Sequence, residues 1–218
     1  MMPAFSILTV CRGNIHRSPL AACLLETWAG WYLPAAVSES VSVRSAGLTA
    51  PVGEPMGRRV QKVVRALGAD GSHHRATQIT EDLIASSDLI LVASRSQQQQ
   101  VLSYVPAALR RTFTLREAGR IAATLPVPSP PHAPSDLVAM VSAMADHRTA
   151  PMNPADDDVL DPQGEGDDAY QQMVREEVPA VVALARTLLR MPRGDVEAYL
   201  AAAEDPASLL TDGEADPQ

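Results

Sequence analysis

The sequence predicts an α/β protein whose core is an open parallel sheet with helices on both faces. Short apolar runs alternate with helix-length stretches as far as Arg120. The clearest run, Asp88–Ala93 (DLILVA), is apolar toward both sides, as a strand covered on both faces must be. Serine, proline and glycine punctuate the junctions between runs.

Taken in order, Phe5–Val10 (FSILTV) reads as the first strand, followed at once by a glycine-containing loop. Ser18-Pro19 opens a helix, because proline suits a first turn. Leu20, Leu24 and Trp28 share one stripe of that helix, which should end near Leu33-Pro34; Trp31 is also expected to pack. Val41–Ser45 is a second strand, and Glu54–Leu67 a helix closed by Gly68. Asp88–Ala93 is the third strand. Ser94 caps a helix through Tyr104, and Thr112–Leu115 is the fourth strand. Beyond Arg120 the alternation degrades. Pro126–Pro134 holds five prolines and reads as a loop, Asp136–His147 as an added amphipathic helix. Asp156–Asp168 is an acidic loop and Tyr170–Arg190 a long closing helix; after Pro192 a weak helical stretch leads into a polar end expected to be mobile.

With 218 residues the chain can bury a substantial core. Its 18 basic and 26 acidic side chains leave a net charge of −8, which argues against nonspecific binding to nucleic acid or to an anionic membrane. The longest apolar stretch, Val178–Leu189, is interrupted by Arg186 and reads as a helix rather than a membrane span. Two cysteines, Cys11 and Cys23, make no disulfide framework. The start, MMPAFSILTVC, lacks the basic and apolar regions of a secretory signal, so a cytoplasmic location is expected. Lys62 is the only lysine; the excess of arginine reads as compositional.

The chemistry concentrates at Cys11-Arg12-Gly13-Asn14-Ile15-His16-Arg17-Ser18-Pro19. A cysteine ends a buried strand, and a helix begins where the loop closes. Backbone N–H groups of such a loop converge on one point, reinforced by the positive end of the helix dipole. Gly13 and Asn14 tolerate the left-handed backbone that turns those groups inward. Arg17 adds a planar fork for two phosphate oxygens. Donors gathered around a sulfur, including the Ser18 hydroxyl, favour the nucleophilic thiolate. A spacing of five residues between cysteine and arginine is weak by itself; its placement between strand and helix gives it weight.

An acid is also needed for a leaving oxygen. Asp161-Pro162 follows the apolar Val159-Leu160, and proline would stiffen the approach of the carboxyl group. Its neighbours Asp156, Asp157, Asp158, Glu165, Asp167 and Asp168 read most simply as a solvated acidic loop. The adjacent His73-His74 is a poor metal site, because neighbouring histidines do not readily ligate one ion.

These elements together resemble the low-molecular-weight protein tyrosine phosphatases: VCRGNIHRSP, VRSAGL at Val43–Leu48, DLILVA, and VLDP followed by AYQQM. The resemblance spans residues 4–190, apart from a Pro-rich and helical insert at about 122–158, and leaves a tail at 191–218. It implies a four-stranded parallel sheet with the site at the strands' C-terminal ends. It also implies hydrolysis of phosphate monoesters, with phosphotyrosine on proteins as substrate, through a phosphocysteine. Cys11, Arg17 and Asp161 are the implied catalytic residues. Arg12, Gly13, Asn14, Ile15, His16, Arg17 and Ser18 would bind phosphate, and Asn14 would hold the loop's shape through Ser45. No metal or cofactor is implied. A phosphoprotein is the implied partner, with a bacterial tyrosine kinase as an association.

Four positions depart from the family. His16 stands where many relatives have a second cysteine that protects the nucleophile. Cys23 lies too far along the helix to replace it and reads as core. Gln163 follows Asp-Pro where an aromatic wall is usual, so phosphatase chemistry is better supported than phosphotyrosine preference. Ile15 replaces the threonine of relatives specialised for phosphoarginine. Arg12 at the mouth would favour an anionic neighbour. Two rival readings remain open: arsenate reduction with an external small thiol, and a non-catalytic phosphate-binding regulator.

Overall fold

The computed structural model describes residues 5–127 and 129–211. Residue 4, Pro128 of the expected Pro-rich loop and residues 212–218 of the expected tail lie outside the described residues. Ten helices and four strands succeed one another within the described residues. They are β1 (Phe5–Cys11), α1 (Arg17–Tyr32), α2 (Ala35–Ser38), β2 (Val41–Gly47), α3 (Arg58–Ala66), α4 (Glu81–Ala85), β3 (Leu89–Val92), α5 (Arg95–Tyr104), β4 (Thr112–Thr114), α6 (Leu115–Thr124), α7 (Pro134–Asp146), α8 (Asp167–Leu184), α9 (Arg193–Glu204) and α10 (Pro206–Leu210).

Strand β1 is buried along its whole length because it is an inner strand of a four-stranded sheet, ordered β2-β1-β3-β4 and parallel throughout. Alternation along β1 then feeds two cores. Phe5 and Ile7 face α1, α6 and α8, where Leu20, Leu24, Trp28, Ile121 and Val178 are buried. Leu8 and Val10 face α4 and α5, meeting Ile84 and Val101. Register places Cys11 opposite Gly47 at the C-terminal edge, so the strand delivers its last side chain to the rim of the sheet.

Local chemistry sets the helix starts. Ser94 accepts a hydrogen bond from the Gln97 N–H at 3.3 Å and opens α5. Thr114 and Glu117 form a reciprocal capping box at the start of α6. Helix α3 begins at Arg58 rather than at Glu54, because the preceding chain is used elsewhere: the Gly57 N–H donates to Ile15 O at 3.0 Å. Gly119 lets α6 approach α8, since a Cβ there would lie 2.6 Å from Ala180 Cα.

Two expectations need correction. Trp28 is fully buried and packs at a tilt on Tyr199 at 4.7 Å between centroids, but Trp31 is half exposed, resting against Gly68 and edge-on to Tyr32. The chain after Pro192 is docked as far as Thr211 rather than loose. Asp195 accepts from the Tyr32 hydroxyl at 2.8 Å, and Ala203 and Leu209 are buried against the main core. Its apolar residues, among them Val196, Tyr199 and Leu209, pack on Trp28 of α1 and against α8 and α3. The segment between α6 and Asp161 is ordered as α7 and a short 3-10 turn at Pro154–Asp157; α7 buries Leu137, Val141 and Met144. No helix of the described residues is long and apolar enough to cross a membrane.

One buried group opposes this core. Glu177 of α8 is fully buried, and neither carboxyl oxygen finds a hydrogen-bond partner of normal geometry. Burial pushes its pKa well above the ordinary 4.5, against the pull of the Arg17 guanidinium and the Ala21 N–H. The unfolded chain releases this proton near 4.5 while the folded chain keeps it, so the residue costs more stability as pH rises above 4.5. Glu177→Leu should therefore stabilise the fold by about 1–3 kcal/mol near neutral pH. Urea unfolding of both proteins at several pH values should show that gain shrinking toward acid.

Candidate active site

A loop that turns its N–H groups inward must send its carbonyls outward, where they need donors. The loop after β1 meets this demand with four neighbours. Cys11 O and Arg12 O accept from Leu48 N and Thr49 N at 3.0 and 2.8 Å. Asn14 O pairs with His74 Nε2 at 2.8 Å, and Ile15 O with Gly57 N at 3.0 Å. Because a carbonyl only accepts, His74 must carry its proton on Nε2. Its burial lowers its pKa, which keeps the ring neutral.

Inside the loop, donors converge on sulfur. Cys11 is 2% exposed; its Sγ accepts from the Asn14 N–H at 3.2 Å and from the Ser18 hydroxyl at 3.0 Å. Both bonds strengthen as negative charge gathers on sulfur. Asn14 holds the left-handed backbone expected of it, at φ 55°. Its side chain donates to Ser18 Oγ at 2.9 Å and accepts from the Thr77 N–H at 2.8 Å. Ser45 therefore does not hold Asn14. Paired with Thr9, it stops two residues short of the Cys11–Gly47 register, and Thr77 and His74 reach the asparagine instead.

Arg17 opens α1 and is 4% exposed. One of its terminal nitrogens donates to Val159 O at 3.0 Å; the other meets Asp161 Oδ2 at 2.5 Å. The carboxyl group expected from residue 161 thus lies beside the loop, on the arginine meant for phosphate. Arg12, Gly13, Ile15 and Asp161, together with Thr49, Pro51 and Gln163, line a cavity of about 510 Å³ at the loop's mouth. Among the described residues, no aromatic side chain lines it. His16 does not line it either: its ring is half-buried edge-on to Tyr170, with Nε2 3.1 Å from the tyrosine hydroxyl. Burial lowers its pKa against the pull of Asp161, so it stays neutral at pH 7.

Cys23 is buried in α1, where burial and the charges of Glu26 and Asp70 push its thiol up to about 11. It is core, as expected, and chemically quiet. His73 is exposed while His74 is half-buried under the loop. The acidic segment is only partly a solvated loop. Asp156, Glu165, Asp167 and Asp168 are exposed, but Asp157 is fully buried between Arg95 and Arg120.

Gly47, which sequence reasoning missed, is where another backbone comes closest to the loop's own backbone. A Cβ there would lie 2.9 Å from Arg12 O, Asn14 N and Gly13 C. The only sequence signal was its place at the end of the VRSAGL run.

The family model for low molecular weight phosphotyrosine protein phosphatases matches residues 6–148. "Probable low molecular weight protein-tyrosine-phosphatase EpsP" of Ralstonia nicotianae is 42% identical over 112 residues, covering 51% of this chain and 71% of the relative. A "Protein-arginine-phosphatase" of Bacillus subtilis is 33% identical over 113 residues, covering 51% and 70%. The crystal structure of the tyrosine phosphatase AmsI of Erwinia amylovora superposes with a TM-score of 0.59 at 24% identity, covering 86% of this chain and 94% of that one. That structural likeness concerns the fold. The family match ends before Asp161, whose placement rests on the geometry above.

Gly47→Ala should push the loop backbone outward and misplace its donors. Competition by inorganic phosphate or vanadate should weaken by about tenfold or more, with urea stability much less affected.

Proposed function

The chain belongs to the low-molecular-weight phosphotyrosine protein phosphatase family, and from that premise we infer that it hydrolyses phosphate monoesters, with phosphotyrosine on proteins as substrate, through a phosphocysteine at Cys11. The observation that carries this reading is the bond between Arg17, in the loop and helix start that hold Cys11, and Asp161, which lines the cavity at the loop's mouth although it lies 144 positions further along the chain.

The residues divide the work as follows. An incoming phosphate takes the Arg17 fork from Asp161, and the loop N–H groups hold its equatorial oxygens. The Cys11 thiolate attacks phosphorus in line while the ester P–O bond breaks. Asp161, released from the guanidinium, takes up the proton that the phosphate monoanion brings and passes it to the departing oxygen. It then takes a proton from water as that water attacks the phosphocysteine; the S–P bond breaks, and thiolate and inorganic phosphate are regenerated. Ser18 and the Asn14 N–H stabilise sulfur at the start and the end, when it carries charge. Arginine and backbone N–H groups supply the positive field for this chemistry.

The mouth supports an ester substrate more than a defined aromatic pocket. Ile15 offers no hydroxyl, and Gln163 replaces a ring, so a phosphotyrosyl side chain would lie between aliphatic and amide groups. Exposed Arg12 favours an acidic residue beside the phosphotyrosine. A tyrosine kinase carrying its own phosphotyrosines is one substrate of this class. The presence of Asp161 beside the fork favours ester cleavage over arsenate reduction, which needs no acid for a leaving group.

Metal-free protein should hydrolyse a phosphotyrosine peptide, and Cys11→Ser should abolish turnover while keeping phosphate binding. Turnover near the unaltered rate in Cys11→Ser would end the thiolate mechanism. Asp161→Asn should slow ester hydrolysis by roughly 10²–10⁴. A steady-state assay showing an unchanged rate would remove Asp161 from the chemistry.

A further inference from the structure

Four residues before Asp161 lies a carboxylate with no part in the steps above. Asp157 has a side chain only 1% exposed, with Oδ2 3.1 Å from Arg95 Nη2 and Oδ1 2.8 Å from Arg120 Nη2. A buried carboxylate is tolerated when its charge is matched and its lone pairs are filled. Here two guanidinium groups from different helices do both: Arg95 opens α5 and Arg120 lies on α6. Each arginine is partly exposed, so the carboxylate is the shared, water-free centre of the cluster.

The next residues continue the attachment. Arg95 N donates to Asp158 Oδ1 at 2.7 Å, and Arg116, one turn from Arg120, donates to Asp158 O at 2.9 Å. Val159 N reaches Ala93 O at 2.8 Å, and Leu160 N reaches Glu176 Oε2 of α8 at 2.7 Å. The chain is therefore tied to α5, α6, the end of β3 and α8 up to the residue before Asp161. Asp161 then extends over the cavity toward Arg17. Its carboxyl group must leave Arg17 when phosphate arrives, yet stay within reach of the ester oxygen. A fixed backbone with a movable side chain meets both demands.

We propose that Asp157 is a positioning residue, which clamps the acid-bearing segment to Arg95 and Arg120 and so sets the reach of Asp161. This rests on the phosphatase reading and extends it to the control of the proton-transfer step. Acting through Asp161, Asp157 matters only where the leaving oxygen needs a proton.

The test compares kcat/KM for two aryl phosphates, phenyl phosphate with a poor leaving group and 2,4-dinitrophenyl phosphate with a good one. Asp157→Asn should lower the value for phenyl phosphate by about tenfold and that for the dinitrophenyl ester by less than about twofold. Adding Asp157→Asn to Asp161→Asn should cause no further loss on phenyl phosphate, because both changes act on one proton transfer. Should Asp157→Asn fail to fold, Arg120→Gln removes one half of the clamp and should give the same selectivity with a smaller loss. Equal losses on both esters, no loss on phenyl phosphate, or an additive double variant would overturn the role of Asp157. Hydrolysis of neither ester by the unaltered protein would instead overturn the phosphatase reading, and this role with it.

Discussion

The structure depends on one constraint: a short loop must present its N–H groups to a sulfur and an anion while its carbonyls stay paired. A loop with inward donors is costly unless something bonds its outer edge. The end of β2, the chain before α3 and His74 supply those bonds. The parallel sheet sets Gly47 beside the loop, and the missing side chain at that position lets the two backbones touch. Thr77 and Ser18 finish the task by fixing Asn14. The fold around β1 is thus largely an apparatus for holding one strained turn in place.

Much of this was legible in the sequence, because it is local. A buried strand, a Gly-Asn turn and a Ser-Pro helix start lie within a single stretch, and residues in such a stretch constrain one another directly. Asp161 was legible only through the motif around it. What escaped was long-range. Nothing in the chain distinguishes Asp157 from Asp156, yet one is buried and the other exposed, because only one side of that turn faces α6. Ser45 looked suited to support Asn14, but the strand register leaves it short. The helices after Pro192 dock through partners far away in the chain, Tyr199 on Trp28 and Asp195 on the Tyr32 hydroxyl, which no local pattern announces.

Arginine usage is where composition misled. The single lysine among many arginines read as a bias of no consequence. In the folded chain several arginines use more than one edge of the guanidinium at once. Arg120 spans Thr149 and Asp157, and Arg148 spans Glu117, Thr112 O and the face of Phe113. An ammonium group has no planar fork with which to make such bridges. A ladder of Arg148, Arg120, Arg116 and Arg95 thus leads the chain from α7 back toward the site. Each of these arginines is matched by a carboxylate, Asp157, Glu176 or Glu117, so the seam leaves no mark on the net charge.

The bond between Arg17 and Asp161 has a consequence for the end of the catalytic cycle. A group that competes with an arriving phosphate competes equally with a departing one. When inorganic phosphate loosens and Asp161 has passed its proton back to the phosphate or to water, the carboxylate is at hand to reclaim the guanidinium, and each partial dissociation is captured before the anion can settle back. The resting site is, in this sense, occupied by part of the enzyme itself. Stray anions meet a guanidinium that is already engaged, and only a ligand that also fills the loop's ring of N–H groups has enough to offer to displace the resident carboxylate.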